Sequence, residues 1–344
     1  MFAGVFSLSG KSLYVEALDL WVDSMRWSER CYVSHGHSDH AREHRTVVAT
    51  PNTARICRAR FARRAQRTQL SLLAPQTPER PPVTFEEHPF NESWMERDHR
   101  LTLFSAGHVL GSAQLMIEGE TGSFVYTGDF KLRASLTVEA PEVKPCDVVL
   151  MECTYGRPQY VFPPHEEIAG QMIAFARETL ESDAVPVFFA YSLGKAQEAM
   201  AILGNAGLPL TVHGAVDNLA QVYRECGVML PAFARYTAET FDTGSVLIWP
   251  PGGKALPKAL RNKPVRTAVL TGWTLDRGAL FRYGTERGFA LSDHADYPSL
   301  LQYVERAQPR KVLLNHGWRD FVHRLRALGV DAEYLEDHAQ LSLF

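Results

Sequence analysis

The segment Ser34–His40 reads SHGHSDH and places three histidines and one aspartate within six positions. It follows a short apolar run that ends at Val33, as a buried strand does when it gives way to a loop. Imidazole suits zinc and its first-row neighbours, and a catalytic metal site keeps one position open for water. A polar loop that holds histidines by chance is the alternative. Four ligand-type side chains at this spacing favour a site for two neighbouring metal ions.

Three further ligand-type residues stand at the ends of later apolar runs, and each adjoins a glycine. They are His108 after Gly107, Asp129 after Gly128, and His316 before Gly317. Side chains at strand ends gather at one edge of a sheet, and glycine permits a sharp turn or a close approach there. Each residue alone could be a core histidine or an aspartate that begins a turn. The repetition favours a shared metal site.

This order of motifs resembles the metallo-β-lactamase fold, and within it the β-CASP nucleases. Glu152 in VVLMECTYG matches the acidic first β-CASP motif, His294 in LSDHADY matches the second, and His316 matches the third. The stretches DLWVD (19–23), GHVLGSAQ (107–114), ECTYG (152–156), LGKAQ (193–197) and VHGAV (212–216) are most similar to the bacterial ligase-associated DNA exonucleases. The resemblance extends from about Leu13 to the end of the chain.

The bulk properties are those of an ordinary globular protein. The chain has 344 residues, of which 45% are hydrophobic and 22% charged, and a net charge of −3. No uncharged apolar run approaches the roughly 20 residues that span a bilayer, and the first residues lack the basic start of a secretion signal. Five cysteines without a Cys-x-x-Cys pair indicate reduced thiols. We therefore expect a cytoplasmic protein with no membrane association.

The pattern of elements predicts two domains. Short strands with few helices fill the first 150 residues, alternating helices and strands follow Pro164, and the metal motifs resume at His294. The resemblance implies an α/β fold, a metallo-β-lactamase αββα sandwich with an inserted compact α/β β-CASP cap. The expected domains are 1–160 with 288–344, and 161–287. The chain's end at 344 suggests no further nucleic-acid-binding appendage.

The resemblance also implies a role for each ligand. One divalent ion would be held by His35, His37 and His108, and a second by Asp39, His40 and His316, with Asp129 between them. Zinc is the expected metal, with manganese as the alternative. Two such ions would activate a water and clamp a phosphate, which makes Asp39 a catalytic as well as a metal-binding residue.

Three other groups of residues are candidates for supporting roles. His294 would donate a proton to the leaving group with Glu152 as its carboxylate partner, although a capping or core histidine before the helix at Tyr297 is the alternative. Asp23, or alternatively Asp19, would be the acid behind the histidine loop. Ser192 and Lys195 open a helix that could bind substrate phosphate, or they could form an ordinary helix start.

Taken together, these features predict a metal-dependent DNA exonuclease that acts on single strands or free ends in bacterial repair alongside a DNA ligase. An RNA-processing β-CASP nuclease stays open as an alternative, because RNA-processing members carry a histidine where this chain has His316. An inactive scaffold subunit is disfavoured because the full ligand set is present. A small-molecule hydrolase would need no cap with Glu152 and His294.

Overall fold

The computed structural model describes residues 6–9, 12–69, 81–251, 256–260, 262–335 and 340–341. They form two compact units. Unit 1 comprises 1–134, 139–157 and 298–344, and unit 2 comprises 135–138 and 158–297. The inserted α/β unit predicted from the sequence is confirmed as part of the fold. The exact domain limits, 1–160 with 288–344 and 161–287, stay a prediction.

Two seven-stranded sheets build unit 1. The first 90 residues supply β1 (Phe6–Ser9), β2 (Ser12–Val15), β3 (Leu20–Val22), β4 (Arg30–Tyr32), β5 (Thr46–Ala49) and β6 (Thr84–Glu87). The next strands are β7 (Ser93–Glu96), β8 (His99–Ser105), β9 (Ala113–Gly119), β10 (Gly122–Tyr126) and β11 (Val148–Cys153).

Unit 2 has one six-stranded sheet made of β12 (Val185–Phe189), β13 (Leu210–Val212), β14 (Ala234–Arg235), β15 (Val246–Trp249), β16 (Val265–Leu270) and β17 (Arg287–Phe289). The chain then returns to unit 1 with β18 (Lys311–Gly317), β19 (Ala332–Tyr334) and β20 (Gln340–Leu341). The helices are α1 (Pro51–Gln69), α2 (His165–Glu181), α3 (Lys195–Asn205), α4 (Gly214–Glu225), α5 (Ala279–Tyr283), α6 (Tyr297–Ala307) and α7 (Phe321–Ala327).

The sheets of unit 1 pack face to face because their strands alternate. Leu20 and Val22 on β3 enter the core shared with Leu103 and Leu115 of the second sheet, whereas Trp21 faces the other way. The first sheet has the order β20-β1-β2-β3-β4-β5-β6, and the second has the order β19-β18-β11-β10-β9-β8-β7.

Helices cover the outer faces of both sheets. Helix α1 contacts β5 and β6 of the first sheet. On the second sheet, the Tyr303 hydroxyl of α6 donates to Gln114 Oε1 on β9 at 2.6 Å. All six residues of β11 are buried, as expected for a strand covered on both faces. The αββα sandwich predicted from the sequence is confirmed.

Unit 2 is a parallel α/β sheet with the order β14-β13-β15-β12-β16-β17. Every strand pair in it is parallel, and its core includes Val187, Leu247 and Trp249. Parallel strands need crossover connections. Helix α3 connects β12 to β13, α4 connects β13 to β14, and α5 lies between β16 and β17. No helix in the described part of the chain is long and apolar enough to cross a membrane.

Candidate metal centre

The predicted ligands of unit 1 lie at or just after the carboxyl ends of strands, and those from the second sheet belong to strands that share a direction. His35 comes after β4, His108 after β8 and Asp129 after β10, while His316 is the last residue but one of β18. Strands β10, β11 and β18 are mutually parallel, and β8 runs the same way because two antiparallel pairings separate it from β10. The topology of the second sheet therefore brings His108, Asp129 and His316 to one edge.

At that edge, one carboxylate oxygen faces three imidazole nitrogens. Asp129 Oδ2 lies 3.4 Å from His40 Nε2, 3.7 Å from His35 Nε2 and 3.8 Å from His108 Nε2. His37 Nδ1 is 3.0 Å from His108 Nε2. Ligand atoms of His35, His37 and His108 all lie within 4.8 Å of one another. The structure thus brings together five of the predicted ligands.

Hydrogen bonds on the far side of the rings fix which nitrogens face Asp129. Asp23 Oδ2 accepts from His40 Nδ1 at 2.7 Å and from the Ser34 hydroxyl at 2.5 Å. Because the Ser34 hydroxyl donates its only proton to Asp23, it must accept a hydrogen bond from His35 Nδ1, which lies 2.9 Å away. Both rings are therefore protonated on Nδ1, and in the neutral rings Nε2 keeps a lone pair.

The same carboxylate is held by two further donors. Asp23 Oδ1 accepts from the Ser34 amide at 2.7 Å, and Oδ2 accepts from the Tyr126 hydroxyl at 2.8 Å. Asp19, the alternative acid, is exposed and accepts from the Tyr14 hydroxyl at 2.6 Å. The structure therefore places Asp23, and not Asp19, against His40.

The chemistry of the cluster fits a metal ion. His35 Nε2 and His40 Nε2 are buried, and neither has a hydrogen-bond partner among the described residues. An unsatisfied buried polar atom is costly, so two of them aimed at one carboxylate indicate a missing partner. Ligands at 2.0–2.1 Å around a tetrahedral ion lie roughly 3.3 Å apart, close to the separations seen here. Nitrogen and carboxylate donors are those that zinc takes.

Burial and charge set the protonation of these rings. Burial, together with the neighbouring imidazoles of His40 and His108, lowers the pKa of His35 well below its usual value. Burial would also lower the pKa of His40, but the carboxylates of Asp129 and Asp23 outweigh it and raise that pKa. His35 is thus neutral and ready to act as a ligand.

The backbone near the site adopts conformations that ordinary residues avoid. Asp23 has φ 46° and His316 has φ 47°. His316 is also the extra residue of a β-bulge, since Glu152 pairs with Asn315 and Cys153 with Gly317. A bulge re-aims a side chain, and here the His316 ring reaches within 5.5 Å of the His40 ring, centroid to centroid.

Gly317 and Gly128 are needed for this geometry. A Cβ on Gly317, whose φ is 152°, would lie 1.9 Å from the Cys153 carbonyl oxygen. A Cβ on Gly128, with φ 56°, would lie 2.9 Å from Ser34, whose hydroxyl orients His35. The glycines that marked the ligands in the sequence therefore allow close approaches within the site.

Asp39 differs from the other predicted ligands. It lies in the same loop but is exposed, and it belongs to neither of the ligand-atom groups formed by the described residues of unit 1. Burial lowers the pKa of Arg60, and the negative charge of Asp39 partly opposes this shift. The Arg60 guanidinium donates to the Gly36 carbonyl oxygen at 2.5 Å. As a ligand, Asp39 stays a prediction.

Glu152 is buried at the end of β11, and both of its oxygens are engaged. Oε1 accepts from the Phe130 amide at 2.9 Å, and Oε2 accepts from the Thr154 hydroxyl. Phe130 follows Asp129 directly, so Glu152 holds the backbone beside the carboxylate of the cluster.

The remaining predicted residues lie in unit 2. His294 is half-buried, and its amide donates to the Ser292 hydroxyl at 3.1 Å. Ser192 and Lys195 stand at the start of α3, as expected. Lys195 Nζ, however, is buried and donates to Asp293 Oδ2 at 2.8 Å. Its charge is thus already neutralised, a partner that the sequence reasoning did not foresee.

Sequence reasoning also missed Ser34 and Tyr126. Ser34 begins the quoted histidine segment, so its place beside His35 is a signal that could have been used. Tyr126 lies 103 positions from Asp23, and only the packing of the two sheets reveals their contact.

Comparison with known proteins places the chain in a family. Residues 287–339 match the family described as "RMMBL: Zn-dependent metallo-hydrolase RNA specificity domain". The chain is 38% identical over 333 residues to a "Probable DNA ligase" of Opitutus terrae, across 96% of this chain and 31% of that relative. It is 25% identical over 281 residues to an "RNase J-like protein" of Methanocaldococcus jannaschii, across 67% of this chain and 66% of that protein.

A solved structure shares the fold across both units. It is a protein of unknown function from Enterococcus faecalis V583, with a TM-score of 0.63, 10% identity and coverage of 98% of this chain and 99% of that one. The chain spans about a third of the ligase-named relative, so that protein's whole activity does not transfer directly. With the αββα sandwich, the inserted α/β unit and the histidine cluster, these matches confirm the resemblance found in the sequence. The chain belongs to the β-CASP nuclease family of the metallo-β-lactamase fold.

Proposed function

We propose that this protein is a metal-dependent DNA exonuclease that hydrolyses phosphodiester bonds from DNA ends, in bacterial repair alongside a DNA ligase. The observation that supports metal-dependent hydrolysis is the position of Asp129 Oδ2, which lies 3.4–3.8 Å from three imidazole nitrogens. The match to a relative named as a DNA ligase, across 96% of this chain, supports DNA as the substrate and a ligase as the functional partner.

The proposed site holds two divalent ions, zinc or alternatively manganese. His35, His37 and His108 would hold one ion, and Asp39, His40 and His316 the other, with Asp129 between them. When bound, the ions would supply Lewis acidity and bring the pKa of a bound water down to about 7. The 5.5 Å between the His40 and His316 rings supports their sharing an ion.

The chain's own residues would orient the histidine ligands and donate a proton to the leaving group. Asp23 fixes the His40 ring directly and the His35 ring through Ser34. We propose His294 as the proton donor to the leaving oxygen and Glu152 as its carboxylate partner. General acid catalysis of this kind contributes about 10²–10⁴-fold.

Phosphate binding at the start of α3 by Ser192 and Lys195 is also part of the proposal. The Lys195–Asp293 ion pair weakens it, because the ammonium would have to exchange a buried carboxylate for phosphate.

An RNA-processing nuclease is the second candidate function. Two observations favour it: the matching family is described by RNA specificity, and relatives include proteins named as RNases. The chemistry at the metal centre would be the same, so only the substrate separates the two proposals.

The test is incubation with end-labelled linear single-stranded DNA, duplex DNA and matched RNA, each with zinc or manganese. The proposal expects stepwise shortening of linear single-stranded DNA and no cutting of a circular single strand. His37→Ala is the control that removes hydrolysis while the sheets stay folded. Equal cutting of circles and linear strands would replace the exonuclease with an endonuclease, and cutting of RNA alone would favour the second candidate.

A further inference from the structure

A cavity of unit 1 lies at the amino ends of β3 and β4, whereas the histidine segment follows the carboxyl end of β4. It has a volume of about 650 Å³, within the range of small-ligand sites. Its lining includes Asp19, which precedes β3, and Arg30, which begins β4. These two strands are parallel, and the histidine segment follows the carboxyl end of β4. The cavity is therefore separate from the metal centre.

Two tryptophans supply flat apolar surface to this cavity. Trp27 is 38% exposed, and Trp21 is half-buried with its ring 4.8 Å from that of Tyr14. The face of an exposed aromatic ring at a cavity wall can stack against a flat ligand. Stacking of a base on such a ring contributes about 1–3 kcal/mol in single-strand binding proteins.

The cations and carboxylates of the lining are not equally available. Arg26 and Arg97 have no carboxylate within 4.0 Å among the residues that the structure describes, although Arg97 donates to the Ala17 carbonyl oxygen at 2.6 Å. Each lining carboxylate already has a donor. Glu96 pairs with Arg30, Glu29 with Arg45, and Asp19 accepts from Tyr14. The Tyr14 hydroxyl is neutral, so Asp19 keeps its negative charge. The two guanidinium groups without a carboxylate partner outnumber this one carboxylate, so the uncommitted charge of the lining is net positive.

The loop that carries Arg26 and Trp27 is fixed before any ligand arrives. The Ser24 hydroxyl donates to the Arg26 carbonyl oxygen at 2.9 Å and accepts from the Arg26 amide at 3.2 Å. At the other end, the Ser28 amide donates to His44 Nδ1 at 3.2 Å. A preformed loop loses little conformational entropy on binding, which favours a site over an incidental surface.

We propose that this cavity binds one nucleotide unit, with its base stacked on Trp27 and its phosphate held by Arg26 and Arg97. A cavity lined by a flat aromatic ring and two guanidinium groups without a carboxylate partner matches a base attached to a phosphate better than either part alone. The unit is either a free nucleotide or a residue of a single strand. The site goes beyond the proposed hydrolysis, because none of its residues belongs to the metal centre.

The test is a titration of the zinc-loaded full chain with dAMP, followed by the indole N–H signals of its six tryptophans in two-dimensional NMR. We expect the Trp27 signal, identified by its loss in Trp27→Phe, to shift in a saturable manner. Trp27→Ala should weaken dAMP binding roughly 5- to 150-fold, the equivalent of one stacked base. Arg26→Gln should weaken it as well.

Controls separate this site from others. Phe281→Ala removes a ring that is 92% exposed in unit 2 and should leave dAMP affinity unchanged. The strand arm uses the His37→Ala chain, in which (dA)₄ should not be hydrolysed. In that chain, a (dA)₄ strand that shifts Trp27 at lower concentration than dAMP would identify a strand as the source, and the reverse order would identify a free nucleotide. Both results support the site.

Three results would overturn the proposal. One is ribose 5-phosphate or inorganic phosphate that shifts Trp27 as well as dAMP does, which would mean an anion site without base recognition. The second is a Trp27 signal unmoved by 10 mM dAMP, roughly the weak limit of specific binding, and by the strand. The third is unchanged affinity in Trp27→Ala. None of these depends on turnover, so failure here is distinct from failure of the proposed nuclease activity.

Discussion

Replacement of Asp23 tests how the histidines are held. Its buried carboxylate accepts four hydrogen bonds, two from Ser34 and one each from His40 and Tyr126. Asp23→Ala leaves at least three buried donors without an acceptor, each at a cost of about 1–3 kcal/mol. It also puts alanine at φ 46°. We therefore expect the free energy of unfolding of the metal-free protein to fall by at least about 3 kcal/mol.

Asp23→Asn is the milder change. With its oxygen turned to His40, Tyr126 and the Ser34 hydroxyl, the amide group opposes only the Ser34 N–H, so one donor is mismatched. The expected loss is about 1–3 kcal/mol, and asparagine tolerates the positive φ. Zinc affinity should fall about 10–100-fold, as for other residues that orient metal-bound histidines.

Urea unfolding and competition with a chromophoric chelator measure these two quantities. Asp19→Asn is the matched control, since it makes the same substitution at an exposed aspartate with φ 50°. It should change stability by less than about 0.5 kcal/mol and leave zinc affinity unchanged. The reasoning fails if Asp23→Asn binds zinc as tightly as the parent, or if Asp19→Asn is the variant that loses it.

Other substitutions and substrates extend these tests. His37→Ala should abolish hydrolysis and weaken zinc binding without unfolding the protein, and near-normal cutting with full metal content would refute its role as a ligand. His294→Ala should keep both metals and lose about 10²–10⁴-fold in rate, less on a nitrophenyl phosphodiester whose leaving group needs no proton; an equal loss on both substrates would exclude the acid role. Gly317→Ala should lower the free energy of unfolding by about 3 kcal/mol because its Cβ meets the Cys153 carbonyl, whereas Gly170→Ala, with open space around it, should not destabilise; similar stabilities would contradict the packing argument.

The strand ends and the residues that follow them were predictable because the physical signals are local. An apolar run followed by a glycine and a histidine marks a buried strand that turns sharply at its end, as β8 does before His108. Helix α2 was expected at about 165–180 and spans His165–Glu181, since its first residue follows two prolines that cannot continue a helix.

The parts that escaped prediction are contacts between distant positions. Lys195 and Asp293 are 98 residues apart, and no sequence pattern near either residue predicts their ion pair. The β-bulge that gives His316 its positive φ depends on the register between β11 and β18, which the sequence of either strand does not fix.

Within unit 2, hydroxyls and amides of residues 135–137 converge on the carboxylate of Glu198, a contact that no local sequence pattern predicts. The Ser135 hydroxyl donates to Glu198 Oε2 at 2.5 Å, and the Leu136 amide donates to the same carboxylate at 3.1 Å. His165 Nε2 lies 2.9 Å from Glu198 Oε1. Buried carboxylates of this kind need partners, but only the folded chain determines which donors arrive.

Diffraction from zinc-soaked crystals at the zinc absorption edge tests the central claim most directly. We expect two anomalous peaks about 3.5–4 Å apart on either side of Asp129, one about 2.0–2.1 Å from nitrogens of His35 and His108 and the other equally close to His40. A single peak, or a pair of peaks that Asp129 does not contact, would contradict the two-metal centre.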